Sequence, residues 1–260
     1  MQEQGAVTRL AVLADLHLPQ GAERLQRAIA ALEVEKVTAA LIAGDLTQHG
    51  QEGEYGVWRR WRQRFTVPVF CVPGNHDVGD KGKVTGERLA RYESQAGPSF
   101  FAADVGGVRV VGFNSLLFGS GLERETEQWA FLSDELCPQT SVPASSAASV
   151  AVSSLQCTDR PIVIFLHHPP FRVQSDEKAD YWNIDPEPRQ RLLELLEANA
   201  ERVCALLAGH LHHPASLAWS DVPILVAPAV SFGLPEGKQP EGWMLVNVTG
   251  HVVDFELREL

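Results

Sequence analysis

Residues that could bind metal ions gather at five places in the sequence, each directly after an apolar stretch. In chain order they are Asp15 and His17, then Asp45, then Asn75, His76 and Asp77, then His167, and last His210 and His212. Imidazoles mixed with carboxylate and amide oxygens suit Mn, Fe, Zn, Co or Ni better than Ca or Mg. No cysteine stands among them, which argues against a structural zinc site. The pattern therefore predicts a transition-metal centre.

The apolar stretches before these residues have the length and composition of buried β-strands. They cover residues 10–14, 39–43, 67–72, 162–166 and 203–208. Segments of helical periodicity lie between several of them, with Leu25, Ile29 and Leu32 on one face of the first and Trp58, Trp61 and Phe65 in the second. This alternation predicts an α/β fold. Because ligands bind outside the carboxyl ends of strands in such sheets, we expect the five places to converge on one crevice.

Further apolar runs predict strands at residues 108–113, 224–227, 244–248 and 252–256, and helical periodicity predicts helices near residues 125–136 and 186–199. The last three strands have no helix between them, which predicts an antiparallel meander. We therefore expect a mixed sheet or two stacked sheets with helices outside. The sequence shows no internal repeat.

A glycine directly precedes the first polar residue at three of the five places, as Gly44, Gly74 and Gly209. Glycine permits a sharp turn, including a left-handed one, which would swing the next side chain from the strand end into a shared site. The three glycines are therefore predicted to shape the crevice.

The composition predicts one domain over residues 1–260 and excludes several function classes. The 260 residues are 45% hydrophobic and 21% charged, enough for one sizeable core. A formal net charge of −11 disfavours sequence-independent binding of nucleic acid or anionic lipid, because both are held by clustered cations. No apolar run approaches the roughly 18 to 20 residues of a membrane span, and residues 1–10 lack a signal pattern. We therefore expect a cytoplasmic protein.

The four cysteines do not form a disulfide framework. Cys71 and Cys204 lie in apolar stretches and are predicted to be buried free thiols. Cys137 and Cys157 flank a Ser/Ala-rich stretch at about residues 138–159 that carries no charge between Gln139 and Thr158. We interpret this stretch as a polar surface insert, and whether the two cysteines pair stays open.

The ordered motifs DLH, GDLT, GNHD, HHPP and GHLH resemble those of the calcineurin-like metallophosphoesterase superfamily. Within it, the longer runs GDLTQHG, PVFCVPGNHD and LHHPPF are similar to the bacterial class III cyclic-nucleotide phosphodiesterase and glycerophosphodiesterase branch. The resemblance covers about residues 10–214. It implies an α/β fold of two stacked mixed β-sheets flanked by helices, and a homodimer is compatible with it.

The resemblance also implies a ligand set for two divalent or mixed-valence ions of Mn, Fe, Zn, Co or Ni. One ion would be held by Asp15, His17 and His212, the other by Asn75, His167 and His210, with Asp45 as the bridge. The tyrosine ligand of purple acid phosphatases would fall at position 48, which is Gln48 here. A purple iron site is therefore not expected.

Two ions held about 3.5 to 4 Å apart can clamp a phosphate and activate a bridging water, so that hydroxide rather than a side chain attacks phosphorus. His76, beside a predicted ligand, is the candidate general acid for the leaving oxygen. Asn75 could also donate its amide to the phosphate, so Asn75 and His76 are the predicted substrate-binding residues. Asp77 either orients the His76 ring as part of the catalytic machinery or caps a turn, and the sequence leaves both open.

Other polar residues near these motifs have simpler interpretations. His168 and His213 are expected to be hydrogen-bonded neighbours of ligands or surface residues, His49 a solvated loop residue, and Asp185 the N-cap of a helix with Pro186 at its first position. Segments 81–86, 116–124 and 171–185 are the predicted substrate walls, because loops beside a scaffolded site often set specificity.

The sequence thus predicts a dinuclear metal-dependent phosphoric ester hydrolase acting on small phosphodiesters, with cyclic nucleotides among them. The alternatives are a phosphomonoesterase or a nucleotide pyrophosphatase with the same metals. A DNA nuclease is disfavoured by the acidic balance. A metal-depleted scaffold of the same fold is also disfavoured, since such proteins are expected to lose ligands and none of these is lost.

Overall fold

Two mixed β-sheets stacked face to face form the centre of the computed structural model, which describes residues 6–80, 83–136 and 160–260. In spatial order the first sheet contains β13 (Val252–Glu259), β12 (Gly242–Thr249), β1 (Thr8–Leu13), β2 (Ala39–Ala43) and β3 (Val69–Val72). The second contains β10 (Ala215–Trp219), β11 (Val222–Val226), β9 (Val203–Ala208), β8 (Ile162–Phe165), β7 (Val108–Gly112) and β6 (Phe101–Val105). A short hairpin is formed by β4 (Gly79–Asp80) and β5 (Lys83–Val84).

Helices cover the outer faces of both sheets. Helices α1 (Ala22–Glu35), α2 (Glu52–Arg62) and α4 (Gly86–Gln95) pack on the first sheet, whereas α5 (Glu123–Leu136) and α6 (Pro186–Glu197) pack on the second. The one-turn helix α3 (Asn75–Val78) follows β3, and a 3-10 turn (Ser115–Leu117) follows β7. A third apolar cluster, including Leu10, Leu41, Val163 and Leu207, fills the space between the sheets.

The central strands are buried on both sides, which is why they are continuous runs of apolar residues. Every residue of β2 and of β9 is buried. Strands β1, β2 and β3 run parallel, as do β7, β8, β9 and β11. Their carboxyl ends therefore lie at shared edges of the two sheets, where the predicted ligands follow.

The α/β fold of two stacked mixed sheets is confirmed, but the predicted C-terminal meander holds only for its last two strands, β12 and β13, which pair antiparallel. Strand β11 belongs to the second sheet, whereas β12 and β13 return to the first, where β12 pairs antiparallel with β1. The pattern failed because strands buried on both faces carry no signal for the sheet they join. No sequence pattern predicted α4, β6 or β10, whose residues are largely polar or half-buried.

Several smaller expectations have clear outcomes. Cys71 and Cys204 are buried free thiols, as predicted. Asp185 stands at the N-cap of α6 with Pro186 next, but its side chain makes no capping hydrogen bond. Helix α2 ends at Arg62, so Phe65 lies beyond it. The insert at 138–159, with Cys137 and Cys157, lies outside the described residues. Across the described ranges, none of the helices combines the length and apolar character needed to cross a membrane.

Candidate metal centre

The structure brings all seven predicted ligands to one crevice between the carboxyl edges of the two sheets. Asp15 and His17 follow β1, Asp45 follows β2, Asn75 begins α3 after β3, His167 follows β8, and His210 and His212 follow β9. All except Asn75 are at most 5% exposed. Among the described residues, ligand atoms lie within 4.8 Å of one another in four groups: Asp15, His17 and His212; Asp15, Asp45 and His167; His17, Asp45 and His76; and His167, His168 and His210.

The backbone at these strand ends adopts the left-handed conformation, which is uncommon for residues other than glycine. Seven such residues occur in the described parts of the chain, and five are predicted ligands: Asp15, His17, Asp45, His210 and His212. Their φ angles lie between 45° and 70°. Strained backbone of this kind persists where the surroundings fix it and clusters at functional sites. Here it turns side chains out of the strand direction into the crevice.

The three glycines shape the crevice, but only one does so in the predicted way. Gly44 has a φ of +87°, a left-handed turn as expected. Gly74 and Gly209 do not, and their small size serves close approach instead. A Cβ at Gly74 would lie 2.1 Å from Oδ1 of Asp45, and one at Gly209 would lie 2.6 Å from Cβ of Ala14.

Asp15, His17 and His212 have the spacing expected of ligands to one ion. The two Nε2 atoms of His17 and His212 are 3.3 Å apart, and Nε2 of His212 is 3.4 Å from Oδ1 of Asp15. Two ligand atoms each about 2.1 Å from an ion are separated by about 3.0 to 3.4 Å at octahedral or tetrahedral angles. Oδ1 of Asp15 is buried and has no hydrogen-bond partner in the described part of the chain. Such an orphaned buried oxygen fits a metal ligand, because burial without a partner is otherwise unfavourable.

Asp45 connects this group with the predicted ligands of the other ion, Asn75, His167 and His210. Its Oδ2 atom lies 3.7 Å from Nε2 of His17 and 3.4 Å from Nε2 of His167. Its Oδ1 atom accepts a hydrogen bond from the backbone N–H of His76. On the far side, Nε2 of His167 is 3.0 Å from Oδ1 of Asn75. A single carboxylate oxygen thus lies between imidazoles of both groups.

Backbone carbonyls define which ring nitrogen of three histidines is available for a metal. Nδ1 of His167 donates to the Ala43 carbonyl at 2.8 Å, and Nδ1 of His212 donates to the Phe232 carbonyl at 2.7 Å. In His210 it is Nε2 that donates, to the carbonyl of Tyr181 at 2.8 Å. Since a carbonyl only accepts, the opposite nitrogen of each ring is the one that can bind a metal ion when the ring is neutral. Metal-binding histidines are usually oriented in this way.

Burial and mutual contacts shift the pKa values of the buried groups. Burial opposes ionisation of Asp45, but the rings of His167 and His17 outweigh it and hold the pKa of this carboxyl well below its usual range. Burial likewise disfavours a charged His167, yet the Asp45 carboxylate raises the pKa of His167 to about 9. Burial, with a contribution from His167, lowers the pKa of His210 to about 3 and that of His168 well below its usual value. His210 and His168 are therefore neutral near pH 7.

His76 and Asp77, the predicted catalytic residues, have different surroundings. Nδ1 of His76 donates to the Gln48 carbonyl at 2.7 Å, and its ring contacts that of His17 edge-on at 4.6 Å. Asp77 is fully buried and makes no described contact with the His76 ring. It accepts hydrogen bonds from Leu46, Thr47 and Gly74. Of its two open roles, the geometry therefore supports the turn cap.

A cavity of about 320 Å³ opens beside Asn75 and is lined by parts of all three predicted substrate walls. Its lining includes Lys83, Leu116, Ser120 and Tyr181. His168 also lines it, with Nδ1 2.9 Å from the Ser115 hydroxyl. Ser115 was not predicted as a site residue, although its position just after a strand could have indicated it. His49 is exposed, and Nδ1 of His213 bonds to the nearby Leu211 carbonyl.

Two stacked mixed sheets with carboxylate, amide and imidazole side chains at their carboxyl edges form a candidate metal centre. The chain belongs to the calcineurin-like phosphoesterase family, whose family model matches residues 8–214. The resemblance seen in the sequence motifs is thereby confirmed.

Named relatives include phosphodiesterases and phosphatases. The probable glycerophosphodiester phosphodiesterase GpdQ of Arcobacter nitrofigilis is 28% identical over 199 residues, which are 75% of this chain and 64% of that protein. The serine/threonine-protein phosphatase CPPED1 of Bos taurus is 27% identical over 82% of this chain and 64% of its own length. A probable cyclic nucleotide phosphodiesterase of a Pseudoalteromonas species is 26% identical over 87% of this chain and 79% of its own. The chain thus spans just under two thirds of the first two relatives.

Solved structures show the same fold at low sequence identity. A yellow lupin purple acid phosphatase has a TM-score of 0.63 at 14% identity, over 98% of this chain and 52% of that one. A Danio rerio dimetal phosphatase has a TM-score of 0.57 at 15% identity, over 97% and 98%. The Plasmodium protein GAP50, described as an anchor in the inner membrane complex, has a TM-score of 0.62 at 12% identity, over 97% and 84%. Since phosphatases and an anchor share it, the fold alone does not identify an activity.

Proposed function

We propose that the protein hydrolyses small phosphodiesters, cyclic nucleotides or glycerophosphodiesters among them, with two divalent transition-metal ions. The observation that carries this proposal is the position of Oδ2 of Asp45, 3.7 Å from Nε2 of His17 and 3.4 Å from Nε2 of His167. One carboxylate oxygen between two ligand groups suits a bridged pair of ions. The first ion would be held by Asp15, His17, Asp45 and His212, the second by Asp45, Asn75, His167 and His210.

When bound, the ions supply an activated water and positive charge that offsets the phosphate. The protein side chains supply the proton for the leaving oxygen and orient the phosphate. His76 is held by the Gln48 carbonyl through Nδ1, so Nε2 is the nitrogen that gives the leaving oxygen its proton when the ring is protonated. The Nδ2 amide of Asn75 can donate to a phosphate oxygen. The neighbouring cavity of about 320 Å³ has the size of a small-molecule site and would hold the leaving alcohol.

Hydrolysis of phosphomonoesters is the second candidate, because relatives named as protein phosphatases match 82% of the chain. A nucleotide pyrophosphatase would use the same metals. The test is the hydrolysis of bis(p-nitrophenyl) phosphate and p-nitrophenyl phosphate after reconstitution with Mn(II), with His76→Ala as the control. Strong preference for the diester supports the first proposal and leads to a panel of cyclic nucleotides and glycerophosphodiesters. Preference for the monoester favours the second candidate, and no turnover of either with metals bound contradicts both.

A further inference from the structure

Tyr181 contacts two predicted ligands of the same metal ion, although they follow different strands. Its phenol oxygen accepts a hydrogen bond from Nδ2 of Asn75 at 2.9 Å. Its backbone carbonyl accepts one from Nε2 of His210 at 2.8 Å, and the two rings are 5.0 Å apart. Asn75 follows a strand of the first sheet and His210 a strand of the second. One residue in the loop between β8 and α6 therefore joins the two halves of this ligand group.

Each contact leaves the other polar atom of the side chain, Oδ1 of Asn75 or Nδ1 of His210, available to bind a metal ion. With Nδ2 of Asn75 bonded to the phenol, Oδ1 lies on the side of His167, 3.0 Å from its Nε2. An amide in the reverse orientation would present two N–H donors to the ion, which are not ligands. With Nε2 of His210 donating to the carbonyl, Nδ1 keeps the lone pair that a metal requires.

The loop that carries Tyr181 is held in place by its own network. The N–H of Trp182 donates to Asp180 at 2.8 Å, and the N–H of Asp180 donates to the Asn183 side chain at 3.0 Å. Asn183 in turn donates to the Glu177 carboxylate at 2.7 Å. Arg189 of α6 is 1% exposed and donates to the Glu177 carbonyl. These bonds hold the Tyr181 backbone through the loop itself and helix α6, and none of them involves a predicted metal ligand.

We propose that Tyr181 is a positioning residue of the second metal site, because its phenol oxygen orients the Asn75 amide while its carbonyl orients the His210 ring. The inference rests on the metal assignment of the proposed function and adds to it a residue outside the ligand set. Among the described residues, no hydrogen bond or ring contact joins Tyr181 to Asp15, His17 or His212. Loss of its hydroxyl should therefore weaken one metal site and leave the other unchanged.

The experiment is a calorimetric titration of Mn(II) into the metal-free protein, comparing wild type, Tyr181→Phe and Tyr92→Phe. Tyr92→Phe is the matched control, because the Tyr92 hydroxyl is buried, has no hydrogen-bond partner among the described residues and lies outside the metal centre. We expect wild type and the control each to bind two ions, with affinities at each site that do not differ between the two proteins. Tyr181→Phe should bind one ion normally and the other about 10- to 100-fold more weakly. In electron paramagnetic resonance, wild type should then show the signal of a spin-coupled Mn(II) pair, and Tyr181→Phe should show the signal of isolated Mn(II).

Unchanged affinities at both sites in Tyr181→Phe would overturn the inference, as would equal weakening of both sites with a lower midpoint of thermal unfolding of the metal-free variant. A wild type that binds fewer than two ions overturns both the inference and the proposed function. A selective loss at one site in a protein that cleaves no phosphoester supports the positioning role and contradicts the proposed function alone. The binding measurement therefore separates the two failures.

Discussion

The buried carboxylate of Asp77 accepts hydrogen bonds from both the backbone N–H and the hydroxyl of Thr47, at 2.9 Å and 2.7 Å. It also accepts from the N–H groups of Leu46 at 3.1 Å and Gly74 at 3.0 Å. These donors belong to the loops after β2 and β3. Asp77 therefore fixes the loop that carries Asp45 against the loop that carries Asn75, and so sets the separation of two predicted ligands.

Asp77→Asn should destabilise the fold, because an amide cannot accept from all these donors. Hydrogen bonds to charged groups contribute about 1.5 to 3 kcal/mol, so we expect a loss of roughly 3 kcal/mol in the free energy of unfolding of the metal-free protein. Thr47→Val should cost less, because it removes only the hydroxyl. Urea unfolding measures both. Unchanged stability of Asp77→Asn with lost turnover would instead support the catalytic role that the sequence left open.

His76→Ala should retain two metal ions but lose turnover by about 10²- to 10⁴-fold, the usual contribution of a general acid. The loss should be largest for aryl diesters with poor leaving groups, since these most need a proton. The measurement is kcat/KM across a leaving-group series, together with metal analysis. The exposed His49, replaced by Ala, is the control and should behave as wild type. An equal loss for all leaving groups would refute the acid role.

Asp45→Ala should lower metal occupancy below two ions per chain, because its Oδ2 is the oxygen that lies between His17 and His167. Elemental analysis after Mn(II) reconstitution and desalting gives the stoichiometry. Asp221→Ala, at an exposed carboxylate away from the crevice, should keep both ions. Full occupancy in Asp45→Ala would exclude a bridging role.

Gly74→Ala should disturb the centre although it adds only a methyl group, which would lie 2.1 Å from Oδ1 of Asp45. Overpacking of this kind costs about 1 to 3 kcal/mol, and displacement of Asp45 should also weaken metal binding. Gly53→Ala in α2 is the matched control, because its added Cβ meets nothing within 4 Å. It should raise stability by up to about 1 kcal/mol through helix propensity. Identical unfolding and metal content in the two variants would contradict the close-packing argument.

Glu35 gives a pH dependence of stability that is independent of the metal centre. It accepts from Arg258 at 2.8 Å and Arg9 at 2.7 Å, joining the end of α1 to β13 and β1. These contacts, the Arg258 hydrogen bond first, lower the pKa of Glu35 below its ordinary value of 4.5. The stabilisation is therefore complete above that value and is lost as the pH falls through the folded-state pKa.

Glu35→Gln should accordingly reduce the free energy of unfolding at pH 7 by less than about 1 kcal/mol, because the pair is partly solvated. The difference from wild type should shrink as the pH falls below 4.5. Glu33→Gln, on the exposed side of the same helix end, should have no such effect. A difference that persists unchanged at low pH would show that the charge is not its source.

The sequence by itself determined the strands that precede the metal-ligand clusters and the family that the motifs indicate. Strand ends are visible in a sequence because a buried strand is a run of apolar residues, and a polar residue directly after it stands at the sheet edge. Asp15, Asp45 and His167 could therefore be assigned from position and type. The mixture of ligand types could also be predicted from the sequence, since it depends on side-chain chemistry alone.

Only the tertiary structure decided which atoms face one another. The carbonyls of Ala43, Phe232 and Tyr181 set the histidine tautomers, yet every residue has a carbonyl, so no sequence signal marks them. The sequence could not choose between two roles for Asp77, because the choice depends on donors from a neighbouring loop. It also grouped β11 with β12, although the two strands belong to different sheets. Apolar burial specifies that a strand is inside, whereas its partner strand and the direction of each buried polar atom are fixed by long-range packing.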